Sequence, residues 1–223
     1  MAENGRFMLE SVAPLLRSGL PLGTNVVLLG PPGSGKTSFC ESLLCECLRK
    51  GIGGLYITLD HSPAELRKRM VGDNSPSTGK PSLEFVDGYS WRTGGSTERF
   101  FVANLFNLSD LSVRIFLAAN ELPGNIFFIF DSVTTLLTYS SEPEVTRFLD
   151  VNMARMRRNG NTGIYAVEEG IHTSAFYNSL RHMADAVLEM RIEDDDEIRR
   201  YIRVHTFRGL NHSSRWLPYP FTP

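Results

Sequence analysis

The stretch LLGPPGSGKTS at residues 28–38 combines residue types and a spacing that suit phosphate binding. Gly30, four further residues, Gly35, Lys36 and Thr37 complete the P-loop pattern. Glycines let successive backbone N–H groups turn towards an anion, with a helix N-terminus behind them. Lys36 adds a point charge for the β- and γ-phosphates, and the Thr37 hydroxyl suits Mg²⁺. The predicted phosphate-binding residues are Gly30, Pro31, Pro32, Gly33, Ser34, Gly35, Lys36, Thr37 and Ser38.

Two carboxylates end apolar runs that read as buried strands. Asp131 ends the run NIFFIFD at residues 125–131, and Asp60 ends GLYITLD at residues 54–60. Parallel strands deliver their C-terminal residues to one sheet edge, where a P-loop also lies. We therefore predict that Asp131 joins Thr37 as a Mg²⁺ ligand and that Asp60 positions the attacking water. For Asp60 a simple capping role in the next segment stays open.

A cationic side chain is also needed, because charge develops on a transferred phosphoryl group. Arg208 stands out after the last apolar run and precedes Gly209, while Arg203 and Arg215 lie nearby. The residues alone do not choose among these arginines, and each could equally be an ordinary surface side chain.

Strand and helix patterns alternate along most of the chain. Apolar runs predict strands at residues 25–29, 54–60, 83–87, 125–131 and 164–167. Helical spacing, caps and stops predict helices at residues 36–50, from Ser62 onwards, 109–121 and 144–158. Residues 71–81 read as an exposed loop, and residues 88–107 show no clear pattern. This alternation predicts an α/β fold with a mostly parallel, twisted sheet and helices on both faces.

The two ends of the chain differ from this core. Residues 186–192 and 199–207 alternate apolar and polar around the turn EDDDE, which predicts an antiparallel edge hairpin over residues 186–207. Residues 1–20 are predicted as an N-terminal helical segment that either packs on a neighbouring subunit or covers the sheet. We take residues 1–223 as a single domain, in line with their length.

Composition narrows the class of protein. The chain has 223 residues, 42% hydrophobic and 22% charged, and a net charge of −2, so it is unlike a disordered chain. The near-neutral balance and scarce lysine disfavour strong binding to nucleic acid. Its three cysteines lie within residues 40–47 and fit neither a disulfide framework nor a paired zinc motif. Without a signal sequence or membrane-spanning run, we expect a cytoplasmic protein with no membrane span.

Four segments in order resemble the RecA superfamily and, within it, the single-domain KaiC-like ATPases. They are GLPLGTNVVLLGPPGSGKTS, GLYITLDHSP, IFFIFDSVTTL, and MADAVLEMRI through IRVHTFRGLNHSSRWLPYPFT. The resemblance implies a RecA-like core, ATP with Mg²⁺, and a homo-oligomeric ring, usually hexameric, with nucleotide between subunits. By position, residues 30–37 match the phosphate loop and Asp131 the Walker B carboxylate. Arg208 matches the arginine that reaches a neighbour's γ-phosphate.

Two departures from the family pattern concern turnover. Asp60 and His61 stand where the family usually has paired glutamates, so the water-positioning group is one carbon shorter. A displacement of about 1 Å at a reacting centre can cost about a hundredfold in rate. Thr206 stands where the family often has lysine, so this chain lacks one positive charge there. We therefore expect a slow, Mg²⁺-dependent ATPase that acts as an assembly-dependent molecular switch in signalling or regulation.

Other functions remain open at this level. One is an ATP-binding regulator that does not hydrolyse ATP and recruits a protein partner. Another is a DNA recombination or repair accessory, with contacts expected from loops at residues 134–144 and 168–178. A P-loop kinase would need an arginine-bearing lid, and the sequence has no convincing one. The sequence marks neither the partner nor the pathway.

Overall fold

The computed structural model describes residues 5–71 and 83–219. The strands are β1 (Arg6–Phe7), β2 (Leu20–Pro21), β3 (Asn25–Gly30), β4 (Gly54–Thr58), β5 (Leu83–Asp87), β6 (Phe100–Phe101), β7 (Phe127–Asp131), β8 (Thr162–Glu168), β9 (Ala186–Asp194), β10 (Ile198–Phe207) and β11 (Leu217–Pro218). The helices are α1 (Lys36–Arg49), α2 (Pro63–Val71), α3 (Leu108–Glu121), α4 (Val133–Leu136), α5 (Glu142–Arg158) and α6 (Ser174–Met183). None of the helices in this part of the chain is long and apolar enough to cross a membrane.

A nine-stranded sheet in the order β11-β10-β9-β3-β8-β7-β4-β5-β6 forms the centre of the described residues. All neighbours from β9 to β6 are parallel, and β10 and β11 pair antiparallel at the other edge. This arrangement confirms the predicted α/β fold with a mostly parallel sheet and a C-terminal antiparallel hairpin.

Helices cover both faces of the sheet, as the continuous apolar strands require. Val27 and Leu29 of β3 pack in a core with side chains of α3, α5 and α6. Val26 and Leu28 point the other way and pack with α1 and the N-terminal segment. Because both faces are covered, β3, β4 and β7 are buried along their whole length.

Two predicted loops contain more helix than expected. Helix α6 begins inside the predicted loop at residues 168–178, where the Thr173 hydroxyl accepts a hydrogen bond from the Phe176 N–H at 3.2 Å. The loop predicted at residues 134–144 includes most of α4 and the start of α5, which Ser141 and Glu144 cap reciprocally. The predicted loop at residues 71–81 lies, apart from the end of α2, outside the described residues.

The described part of the N-terminal segment, residues 5–20, contains less helix than predicted. A single 3₁₀ turn, Glu10–Val12, lies between β1 and β2, which pair antiparallel. Pro14 and a Gly19 with φ of 68° interrupt any longer helix. Phe7 and Leu16 are buried in the core beside α1. The described part of the segment therefore covers the face of the sheet on which α1 packs.

Glu46 of α1 anchors this segment. Its carboxylate, in a residue only 4% exposed, accepts hydrogen bonds from the Glu10 N–H at 2.6 Å and the Ser11 N–H at 3.1 Å. The Ser11 hydroxyl at 2.7 Å and the Lys50 ammonium at 3.2 Å complete the set. Burial by itself would raise the pKa of Glu46, but these donors outweigh it and lower the pKa.

We predict that Glu46→Ala lowers the free energy of unfolding by about 2 kcal/mol, because the Glu10 and Ser11 donors lose their buried acceptor. Urea denaturation measures the change. Glu65→Ala, at an exposed position of α2, is the matched control and should change stability by less than about 0.5 kcal/mol. Equal effects of the two substitutions would contradict the anchoring role.

The same contact predicts a pH dependence. The pKa of Glu46 is lower in the folded chain, so its stabilising contribution is complete above the unfolded value of about 4.3. The contribution is lost as the pH falls through the folded value. The stability difference between wild type and Glu46→Gln should therefore be constant near pH 7 and shrink below about pH 4. A difference that stays constant to pH 3 would contradict this.

Candidate active site

The predicted phosphate loop joins β3 to α1 at the carboxyl edge of the sheet. Gly35 precedes α1 with φ of 93°, a conformation that side chains rarely adopt. Gly30 has no room for a side chain, since a Cβ atom there would lie 2.8 Å from the Ser34 hydroxyl and 3.0 Å from the Met190 carbonyl oxygen. These glycines therefore allow the loop to wrap closely around the first turn of α1.

Lys36 lies inside the phosphate loop. Its ammonium donates hydrogen bonds to the carbonyl oxygens of Gly30 at 2.8 Å and Pro31 at 2.9 Å. Burial lowers the pKa of Lys36, while the nearby carboxylates of Glu168 and Asp131 act in the opposite direction. The positive charge is thus held where the loop would meet phosphate oxygens.

Asp131 ends β7 beside Thr37, as the sequence predicts. Only 5% of Asp131 is exposed, and the Thr37 hydroxyl donates to its Oδ2 at 3.0 Å. The phenol of Tyr56 donates to the same oxygen at 2.9 Å. Burial raises the pKa of Asp131, and the hydrogen bonds from Tyr56 and Thr37 oppose that rise. The two predicted metal ligands are therefore in direct contact.

The chemistry of this pair fits Mg²⁺. Mg²⁺ prefers oxygen ligands and is usually held by one or two carboxylates together with waters and substrate phosphates. Thr37 and Asp131 supply a hydroxyl and a carboxylate at the mouth of the phosphate loop. A complete cage of protein ligands is not needed for this ion.

Asp60 follows β4 at the same edge. Its carboxylate accepts hydrogen bonds from the Ser132 hydroxyl, at 2.8 Å, and from the Thr135 hydroxyl. The first turn of α2 is capped by Ser62, whose hydroxyl accepts from the Glu65 N–H at 3.3 Å. Asp60 therefore contacts the chain after β7 and does not replace Ser62 as the helix cap.

These residues line one cleft of about 450 Å³. Of the predicted site residues, it contains Gly33, Gly35, Lys36, Thr37, Ser38, Asp60 and Asp131. His61 lines it as well. A volume of this order suits a small-molecule ligand. The structure thus brings together the predicted phosphate loop, metal pair and water-positioning carboxylate.

Sequence reasoning missed four residues around this cleft. Glu168 ends β8 and pairs with Gly30, so the rule that selected Asp131 would have selected it as well. Ser132 follows Asp131 directly. Arg200 of β10 donates from Nε to the Gly33 carbonyl oxygen at 3.0 Å. No local signal marks Arg200, or the buried Tyr56 beneath the cleft.

Arg208 lies outside this cleft. The register pairs Phe207 with Ala186, and Ala186 with Val26 near the start of β3, so β10 ends at the amino edge of the parallel strands. The P-loop begins four residues later in β3, about 13 Å along the strand. The Arg208 guanidinium donates to the His182 carbonyl oxygen at the end of α6. One chain therefore does not bring Arg208 to its own phosphate loop.

Of the two other arginines considered, Arg203 is engaged elsewhere, and Arg215 is exposed and does not line the cleft. The Arg203 guanidinium forms an ion pair with Glu189 at 2.6 Å and lies over the Trp216 ring, 4.4 Å from the centroid. Arg203 thus has a structural partner on the sheet and is not directed at the cleft.

Comparisons with known proteins point to one family. The family model described as ATPase: KaiC matches residues 8–223. A UPF0273 protein of Pyrococcus horikoshii is 27% identical over 222 residues, which cover 96% of this chain and 89% of that protein. The circadian clock protein KaiC3 of Synechocystis is 28% identical over 208 residues, 90% of this chain but 40% of that protein.

The fold has a close counterpart among solved structures. The crystal structure of a KaiC-like protein from Pyrococcus horikoshii superposes with a TM-score of 0.74 at 20% identity. The match covers 96% of this chain and 95% of that one. Since the family model spans the P-loop, Asp131 and the C-terminal hairpin, the chain belongs to the KaiC ATPase family, within the RecA superfamily.

Proposed function

We propose that this chain binds Mg-ATP and hydrolyses it slowly, as a molecular switch whose assembly depends on nucleotide. The observation that carries this proposal is the contact between Thr37 and Asp131 in a cleft that also contains Lys36 and Asp60. A P-loop, a metal pair and a carboxylate able to hold a water are the parts that phosphoryl transfer to water requires.

Each part has a role in the proposed reaction. The backbone of residues 30–38 and the Lys36 ammonium bind and orient the phosphates. Thr37 and Asp131 would hold Mg²⁺, which neutralises charge on the β- and γ-phosphate oxygens when it is bound. Asp60 accepts a hydrogen bond from the attacking water and so aims its oxygen at phosphorus.

The contacts of Asp60 support slow turnover. Its carboxylate is one carbon shorter than that of glutamate, and hydroxyls from Ser132 and Thr135 already donate to its two oxygens. An attacking water must therefore donate to the remaining lone pairs of the Asp60 carboxylate. The hydrogen bonds from Ser132 and Thr135 hold that carboxylate close to the chain after β7. We therefore propose that Asp60 orients the water but lies farther from it than a glutamate would. This distance lowers kcat without abolishing hydrolysis.

The position of Arg208 supports a shared site. Its guanidinium lies at the opposite edge of the sheet from the phosphate loop of the same chain. A head-to-tail ring joins two different surfaces of the subunit, and a ring that joins the amino edge of one subunit to the carboxyl edge of the next would place Arg208 beside a phosphate loop. We propose a homo-oligomer, most simply a hexameric ring, in which Arg208 leaves the His182 carbonyl and reaches the neighbour's γ-phosphate.

The first test is phosphate release from Mg-ATP over a range of protein concentrations. Specific activity should rise with concentration, because the site is completed by a neighbour. Lys36→Ala should abolish activity, and Arg208→Ala should lower it by about a thousandfold, as for other arginines that act in trans. Arg49→Ala, at the exposed end of α1, is the matched control and should leave the rate unchanged.

Mixing the two inactive variants separates a shared site from one within a single chain. A Lys36→Ala subunit can still donate Arg208 to the intact phosphate loop of an Arg208→Ala subunit. The mixture should therefore recover measurable phosphate release. Activity that is independent of concentration and not recovered on mixing would contradict the shared site.

A second test concerns Asp60. Asp60→Glu should raise kcat by about tenfold to a hundredfold, because the longer side chain brings the acceptor closer to the water. Asp60→Asn should lower kcat, while ATP binding measured by calorimetry stays close to that of wild type. If wild type and Asp60→Glu both bind ATP without releasing phosphate, the alternative of a non-hydrolysing regulator that recruits a protein partner is preferred.

DNA binding is disfavoured by the charge of the segments that would contact it. Residues 134–144 and 168–178 contain four glutamates, Glu142, Glu144, Glu168 and Glu169, and no lysine or arginine. A phosphate backbone would meet net negative charge there.

We therefore expect no binding of a fluorescein-labelled single-stranded oligonucleotide at 50 mM salt, as measured by fluorescence anisotropy, with or without Mg-ATP. Salt-dependent binding that is lost when Arg residues elsewhere are substituted would instead support a recombination or repair accessory.

A further inference from the structure

We propose that Tyr56 is a positioning residue for the metal-binding carboxylate of Asp131. Its hydroxyl, together with that of Thr37, occupies one carboxylate oxygen and leaves the other for the cation. The inference rests on the proposed Mg-ATP site and assigns to it a residue buried beneath the cleft.

The register of β4 and β7 explains why a tyrosine is needed. Thr58 pairs directly with Asp131, whereas Tyr56 pairs with Ile129, two residues earlier. Both Tyr56 and Asp131 point to the face of the sheet that α1 covers, since alternate residues share a face. A side chain as long as tyrosine spans the offset and brings its hydroxyl to 2.9 Å from Asp131 Oδ2.

Packing fixes the direction of the Tyr56 hydroxyl. Tyr56 has no exposed surface, and its ring stacks on Phe85 of β5 with centroids 5.9 Å apart at 26°. A fully buried ring loses little further freedom when its hydroxyl donates. Phenylalanine would fill the same space and would lack only the donor.

Both side-chain hydrogen bonds to Asp131 are accepted by the same carboxylate oxygen. Oδ2 accepts from Tyr56 at 2.9 Å and from Thr37 at 3.0 Å, and a carboxylate oxygen has about two lone pairs. No further hydrogen bond to this carboxylate occurs among residues 5–71 and 83–219. Oδ1 is therefore the oxygen available to a cation or to one of its waters.

Loss of the Tyr56 donor should weaken metal binding. With Thr37 as its only donor, the carboxylate can turn about its terminal torsion and lose the separation between its two oxygens. In a site only 5% exposed, water does not readily replace the missing donor. Removal of such supporting partners typically costs about tenfold to a hundredfold in metal affinity.

The experiment compares Tyr56→Phe with Tyr165→Phe. Tyr165 is a second buried tyrosine, 1% exposed, on the opposite face of the sheet, where it stacks on Phe130. Both substitutions remove one buried hydroxyl, but only Tyr56 contacts Asp131. Full-length protein is titrated with MgCl₂ in the presence of fluorescent ADP, and ADP affinity is measured separately in EDTA.

We expect the half-saturating Mg²⁺ concentration to rise by at least about tenfold in Tyr56→Phe and to stay unchanged in Tyr165→Phe. ADP affinity in EDTA should be the same in all three proteins. Tyr56→Met, which also lacks a donor, should reproduce the shift if the phenylalanine variant folds poorly by near-UV circular dichroism.

Two outcomes overturn the inference in distinguishable ways. If Tyr56→Phe lowers stability but keeps the wild-type Mg²⁺ dependence, Tyr56 serves packing alone. If wild type itself binds ADP or ATP with no dependence on Mg²⁺, the proposed Mg-ATP function fails, and the positioning role fails with it.

Discussion

The parallel pairing of β3, β8, β7 and β4 is the constraint on which the candidate site depends. Because neighbouring parallel strands end at the same edge, Gly30, Glu168, Asp131 and the segment leading to Asp60 meet there without any direct sequence proximity. The hydrogen bond between Thr37 and Asp131 joins residues 94 positions apart and depends on this alignment. A slip of one residue in β7 would turn Asp131 to the opposite face of the sheet.

The antiparallel hairpin adds a second constraint. Because β10 is antiparallel to β9, its first residues lie near the phosphate loop at the carboxyl edge of the parallel strands. Its last residues lie at the amino edge. Arg200 accordingly contacts Gly33, while Arg208 contacts the end of α6. Because β10 runs in this direction, Arg200 contacts the phosphate loop of its own chain, and Arg208 lies at the amino edge of the sheet. The proposal of a site shared between subunits follows from this geometry.

Two buried carboxylates of this fold are each held by several donors. Asp131 has two hydroxyl donors on one oxygen, and Glu46 has two backbone N–H donors, a hydroxyl and an ammonium. An unpaired charge at either place would be costly in a low dielectric. The difference is that both Glu46 oxygens accept hydrogen bonds from the N-terminal segment, whereas only one Asp131 oxygen accepts from a side chain, which leaves the other for the proposed metal.

Local patterns in the sequence determined much of this protein. The P-loop spacing, the apolar runs and their terminal aspartates depend on neighbouring residues, so they predicted the sheet, the hairpin and the cleft residues from Gly33 to Asp131. The helix α6 could have been recognised as well, from Thr173 and the apolar spacing of Phe176, Tyr177 and Leu180. Residues 5–20 hold a 3₁₀ turn where a longer helix was predicted, because Pro14 and Gly19 interrupt it. Tertiary structure alone decided the partners of Tyr56, the contact of Arg200 with Gly33 and the distance of Arg208 from its own loop. Those features depend on strand order, register and direction, which arise from pairing between distant segments and leave no mark on the local sequence.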